Sequence, residues 1–130
     1  MSAPPNHGLY ELIGEREGVH ALVERFYAVM DSLPAAADVR AMHPEDLTQS
    51  KHHLELFLTM WSGGPQDYMA ERGHPRMRRR HMPFAIDGAA RDAWLVCMGI
   101  AAHELVPDEA VRDRLLLALA GVAEQLRNRD

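Results

Sequence analysis

From Val19 onward the apolar residues fall at positions 19, 22, 23, 26, 27, 29, 30 and 33, the three-and-four spacing of one face of an amphipathic helix. Ser32-Leu33-Pro34 breaks that helix, because proline and the residue before it resist helical geometry. The preceding segment, Leu9 to Gly14, is short and ends in glycine, which predicts one or two helical turns closed by a glycine cap. Ala35 to Met42 reads as a small helix or irregular turn, and His43-Pro44-Glu45-Asp46 as a connection, since Pro44 disfavours helix at His43. Thr48 is placed to cap a helix running to about Trp61, with Leu54, Phe57, Leu58 and Trp61 on one stripe and Gly63-Gly64-Pro65 at its end. Gln66 to Arg80 has poor helical periodicity and contains Gly73 and Pro75, so it reads mainly as loop with a short helical turn before His81. Asp87 caps a long helix from Gly88 to about Leu105, in which Ala90, Trp94, Cys97, Met98 and Ala101 form a buried stripe. Pro107 at a first-turn position, with Asp108 and Glu109 suited to the helix dipole, opens a last helix carrying Val111, Leu115, Leu119, Val122 and Leu126. The pattern is all-α.

Composition narrows the class. A chain of 130 residues, 47% apolar and 25% charged, suits one compact globular unit and not a disordered tail. Residues 1–8, with Pro4, Pro5 and Gly8, read as a mobile N-terminal tail, and 9–130 as a single domain. The net charge of −5 argues against nucleic acid. Arg76, Arg78, Arg79 and Arg80 form a local basic cluster, which is a solvated face or the partner of an anionic group. A single cysteine excludes an internal disulfide, and Cys97 within an apolar run reads as a small core residue. The amino terminus has no secretory pattern, which places the protein in the cytoplasm. The longest apolar run, Ala93 to Ala102, falls short of the roughly 20 residues of a membrane span, so no membrane partner is expected.

The chemistry concentrates between Gly73 and Trp94. Pro83 stops a helix within two residues of His81, leaving that histidine at the end of a short, adjustable segment. Such a place suits a metal ligand, which needs one free imidazole nitrogen aimed at the metal. The alternative is an ordinary surface or core histidine. Tyr27 and Trp94 read equally as core aromatics whose polar atoms need a partner. His43 reads as a loop residue, and His52 and His53 as histidines on a polar helix face.

Four separated blocks, in order, resemble the group II truncated haemoglobins: Arg25-Phe26-Tyr27, His43-Pro44-Glu45-Asp46, Trp61-Ser62-Gly63-Gly64-Pro65, and Gly73 through His81 and Pro83-Phe84 to Arg91-Asp92-Ala93-Trp94 and Met98. The resemblance runs from about Leu9 to Arg127. It implies a truncated globin fold, a two-over-two helical sandwich, with haem b held by His81 at the fifth position of iron. It further implies that Tyr27 points into the distal pocket and donates to the ligand, and that Trp94 lies over the iron. His43 takes a distal position often held by an aromatic or histidine. Ser50 stands where many oxygen carriers have a histidine, beside Leu54. The same resemblance assigns Leu54, Phe57, Tyr68, Met77, Arg80 and Phe84 to the cofactor, with His53 reaching a propionate.

The function implied by the resemblance is binding at a sixth iron position open to oxygen, nitric oxide or carbon monoxide. Tyr27, His43 and Trp94 offer up to three donors around it, each contributing on the order of 1 to 3 kcal/mol to a charged acceptor. Slow oxygen release is the consequence, which favours oxygen or nitric oxide chemistry, or sensing, over delivery. The alternative within haem chemistry is an enzyme turning over peroxide or nitric oxide with a separate reductase. A helical interaction module without haem is the reading from a different class.

Overall fold

The computed structural model describes residues 8–129. The tail expected at the amino terminus lies, apart from Gly8, outside the described residues. The described residues form eight α-helices: α1 Leu9–Leu12, α2 Glu15–Ser32, α3 Ala37–Ala41, α4 Thr48–Trp61, α5 Asp67–Arg72, α6 Met77–His81, α7 Gly88–Leu105 and α8 Glu109–Leu126, with a 3-10 turn at Pro34–Ala36 before α3. No strand occurs among them.

The four long helices form the frame. Helix α2 packs against both α4 and α7, and α7 packs against α8, which stacks two helix pairs in the expected two-over-two arrangement. Phe26, Leu22 and Met30 of α2, Leu58 of α4, Met98 and Cys97 of α7, and Leu115 and Leu119 of α8 are almost wholly buried. Cys97 is therefore a core residue, and burial raises its thiol above the ordinary range. Gly14, at φ 107°, turns the chain from α1 into α2 in a left-handed conformation that glycine adopts readily. Gly18 meets the same corner: a Cβ there would stand 1.9 Å from the carbonyl oxygen of Ile13.

Several local expectations change. Thr48 begins α4 but makes no cap, because Asp46 Oδ1 accepts from the Thr48 N–H at 2.9 Å. Asp108 caps α8 through the Val111 N–H, so Pro107 precedes the cap and does not enter the first turn. Asp87 caps α7 as expected, accepting from Ala90 N–H at 2.8 Å. The segment 66–80 is not mainly loop: it holds α5 and most of α6, separated by Gly73-His74-Pro75-Arg76. Arg76 enters α6 at φ 45°, a conformation that costs a non-glycine residue about 1 to 2 kcal/mol. Short α6 rests chiefly on α8.

Candidate functional site

A cavity of about 330 Å³ opens between the α2–α4 layer, the short helices and the α7–α8 pair. Its wall contains every residue that the sequence proposes for a cofactor or ligand: Tyr27, His43, Ser50, His53, Leu54, Phe57, Tyr68, Met77, Arg80, His81, Phe84 and Trp94. Ala90 and Trp94 are half-buried and not closed off like the rest of their stripe, because they face this space. Leu119, Val122, Ala123 and Leu126 of α8 complete an apolar side. Arg72 and Arg91 also line the wall, and the sequence reading includes neither.

Helix α6 ends at His81, and the ring is fixed by its own helix. Nδ1 lies 2.6 Å from the carbonyl oxygen of Met77; a carbonyl only accepts, so Nδ1 carries the proton and Nε2 keeps its lone pair. That is the form in which imidazole binds a metal. His74 is exposed and lies outside the wall.

His43 repeats the arrangement. Its Nδ1 lies 2.9 Å from the carbonyl oxygen of Val39, so the neutral ring presents an acceptor at Nε2 and no donor. Burial, with the nearby charge of Arg40 and of His81, holds its pKa below the ordinary value, against the pull of the Val39 carbonyl. Of the up to three donors expected around the ligand, His43 is therefore one only when protonated, since its neutral ring has no N–H at Nε2. Tyr27 meets the His43 ring edge-on, centroids 5.6 Å apart, and Phe26 at 4.9 Å. Burial drives the Tyr27 phenol well above its ordinary range, so it stays protonated and able to donate. Phe26 also packs on Trp94 at 5.0 Å, which couples the two aromatic walls through one core ring. Neither the Tyr27 hydroxyl nor the Trp94 indole N–H has a hydrogen-bond partner among the described residues.

The polar end of the cavity is cationic. Arg72 places its guanidinium 5.9 Å from the Tyr68 ring centroid, and its Nε is buried without a partner. A buried guanidinium N–H left unpaired is costly unless an acceptor completes it. His53, beside it, is held below its ordinary pKa first by burial and then by the Arg72 charge. Arg80 lines the wall but spends Nε on the Pro75 carbonyl and Nη2 on that of Arg72. Arg78 leaves the site altogether, donating to the carbonyls of Gln125 and Arg127, and Arg76 and Arg79 are exposed. Arg91 pairs with Glu124 and Asp92. His52 faces outward and bonds Glu71 at 2.9 Å.

This wall suits a flat apolar group with an anionic edge. The His81 imidazole, with its Nδ1 held by the Met77 carbonyl, the apolar side from α8 and the orphaned Arg72 N–H all fit haem. Among the described residues no three His, Cys, Asp or Glu side chains gather around a point, so a bare ion finds no cage here, whereas a ring-held iron needs one protein ligand.

Comparison with known proteins gives the same direction. The bacterial-like globin family matches residues 8–128. The chain is 38% identical over 119 residues to the group 2 truncated hemoglobin YjbI of Bacillus subtilis, covering 92% of this chain and 87% of that one. A group II 2-on-2 hemoglobin from the plant pathogen Agrobacterium tumefaciens superposes with a TM-score of 0.90 at 40% identity, covering 94% and 95% of the two chains. A truncated oxygen-avid haemoglobin from Bacillus subtilis does so at 0.84 and 37%, covering 92% and 98%. No helix among the described residues is long and apolar enough to cross a membrane.

Proposed function

The chain belongs to the bacterial-like globin family, as a group II truncated haemoglobin, and from that premise we propose that it binds haem b through His81 and holds oxygen tightly in the pocket under Tyr27 and Trp94. Haem would supply an iron able to take the His81 imidazole and a diatomic ligand such as oxygen, nitric oxide or carbon monoxide. The observation that carries the reading is the His81 ring, whose Nδ1–H is committed to the Met77 carbonyl at 2.6 Å. A hydrogen bond from the far nitrogen fixes the ring's orientation and raises the basicity of the ligating one.

The remaining residues divide the work. Arg72 and His53 receive the carboxylate edge of the cofactor, and Leu54, Phe57, Tyr68, Met77, Arg80 and Phe84 enclose its sides. Tyr27 and Trp94 each bring an N–H or O–H unspent on protein, so both are available to a ligand that gathers negative charge. Two donors in an enclosed pocket slow ligand escape, and the name of the oxygen-avid relative agrees with such retention. Slow release favours oxygen or nitric oxide chemistry, or sensing, in the cytoplasm over oxygen delivery.

A second reading, peroxide turnover served by a separate reductase, draws on His43. A neutral ring with its lone pair turned to the pocket is a base able to take a proton from a protic ligand such as hydrogen peroxide.

The test of the main reading is His81→Ala. The wild-type chain is expected to bind about one haem, with a reduced spectrum that changes sharply on adding carbon monoxide and an iron–histidine Raman band. The variant should lose that band and most of its haem. A variant that keeps both would transfer the ligand role to another residue.

A further inference from the structure

Behind the cavity wall lies a polar seam built on Asn128, which is not among the expected site residues. After α6 the chain cannot continue as helix, because Pro83 has no N–H to donate. The backbone groups of 81–86 must therefore find partners elsewhere. Three of them meet one side chain, and Phe84 N–H turns back to the His81 carbonyl at 3.0 Å. The Asn128 amide donates from Nδ2 to the carbonyl of His81 at 3.2 Å and to that of Phe84 at 3.0 Å, while its Oδ1 accepts from Ile86 N–H at 2.9 Å. The backbone completes the seam: Asn128 N–H and Arg129 N–H both donate to the Ile86 carbonyl, at 2.8 and 3.0 Å. Arg78 fastens the other side of α6 by donating to the carbonyls of Gln125 and Arg127, at 2.6 and 3.4 Å.

The three residues tied by the amide, His81, Phe84 and Ile86, are all on the cavity wall. They run from the last residue of α6 into the irregular segment after it, and one planar group ties all three together, beside the backbone bond from Phe84 N–H to the His81 carbonyl. The chemistry is specific to asparagine, which carries two donors and an acceptor at one reach; aspartate has no donors, and glutamine is one methylene longer. The reference point is α8, whose Val122 and Leu126 face the same cavity.

We infer that Asn128 is a positioning residue for the haem pocket: it sets where His81 stands relative to the cofactor, without touching the cofactor itself. The inference rests on the reading of His81 as iron ligand. It goes further in making the segment after α8 a determinant of iron–histidine geometry and of haem retention.

The test uses the full haem-loaded chain with Asn128→Ala and Asn128→Asp. Alanine removes the three side-chain bonds to residues 81–86; aspartate keeps the acceptor for Ile86 N–H and removes only the donors to His81 and Phe84. Both variants should release haem to excess apomyoglobin about tenfold or more faster, as two bonds are lost with aspartate and three with alanine. The iron–histidine Raman band should shift or broaden while helical circular dichroism is unchanged. An unmoved band in both variants, even with a lower melting temperature, would reduce Asn128 to a stability element and overturn the inference. Failure of the underlying reading shows separately, as a band that survives in His81→Ala.

Discussion

Protonation of His43 is expected to govern the rate of oxygen release. The perturbation is pH, and the structure supplies the sign. Nδ1 is already spent on the Val39 carbonyl, so the only way for Nε2 to donate to a ligand is to acquire a proton. Burial is the chief cause holding the pKa below 6.5, assisted by Arg40 on α3 and His81 on α6 and opposed by the Val39 carbonyl; Tyr27, the other titratable neighbour, stays neutral. Below the folded pKa the ring adds a charged donor beside those of Tyr27 and Trp94. Above it that donor is gone, and release accelerates. A hydrogen bond with one charged partner contributes about 1.5 to 3 kcal/mol, so the rate should rise about 10- to 100-fold as pH climbs through the folded pKa, which lies below 6.5, and level off above it. Stopped-flow displacement of oxygen by carbon monoxide across that range measures it directly. Two variants separate the cause from general acid effects. His43→Gln keeps a donor at every pH and should be slow and flat; His43→Phe has none and should be fast and flat. A flat wild-type profile, or a slope surviving in His43→Phe, would refute the reasoning. Stability has a matching sign: with its folded pKa depressed, neutral His43 contributes fully above 6.5, and that contribution is lost as pH falls through the folded value.

Trp94→Phe keeps most of the ring but removes the indole N–H, so oxygen release should quicken by about tenfold or more while haem content, measured by the pyridine haemochrome spectrum, stays near one per chain. Unchanged release would take Trp94 out of the ligand's reach. If peroxide turnover is the working chemistry, mixing the ferric protein with hydrogen peroxide should give a fast spectral change that slows at least tenfold in His43→Phe; a slow reaction indifferent to that substitution removes the second reading.

Much of the frame is legible in the residue pattern. Long periodic segments announce themselves, and α2, α7 and α8 lie close to where their apolar stripes put them. Tyr27 and Trp94 line the cavity because the frame helices α2 and α7 present fixed faces, while His81 comes from short α6. Helix α5 is hidden because Asp67–Arg72 is a single short run between Gly64-Pro65 and Gly73-His74-Pro75, too brief to display a period. Thr48 and Asp46 are both of residue types that cap helices, and only the hydrogen bond decides between them. Arg72 could be found by asking what completes the edge near Tyr68, but nothing in its neighbours marks it. The tautomer of His43 is beyond reading, for it depends on the carbonyl of Val39, four positions back along the same turn. Asn128 carries no signal either: its meaning lies in backbone groups more than forty residues away.

The seam between Asn128 and the loop after α6 also orders events in time. Asn128 follows His81 by 47 residues, so at ordinary translation rates of about 5 to 20 residues per second it is made roughly 2 to 10 seconds later. During that interval the residues of α2 and α4, Tyr27 and Phe57 among them, have been synthesised, but the His81 and Phe84 carbonyls still lack their Asn128 partner. The nascent protein thus owns one half of its pocket before it can close the other. On the proposed reading, the haem pocket is complete only after α8 and Asn128 have been synthesised.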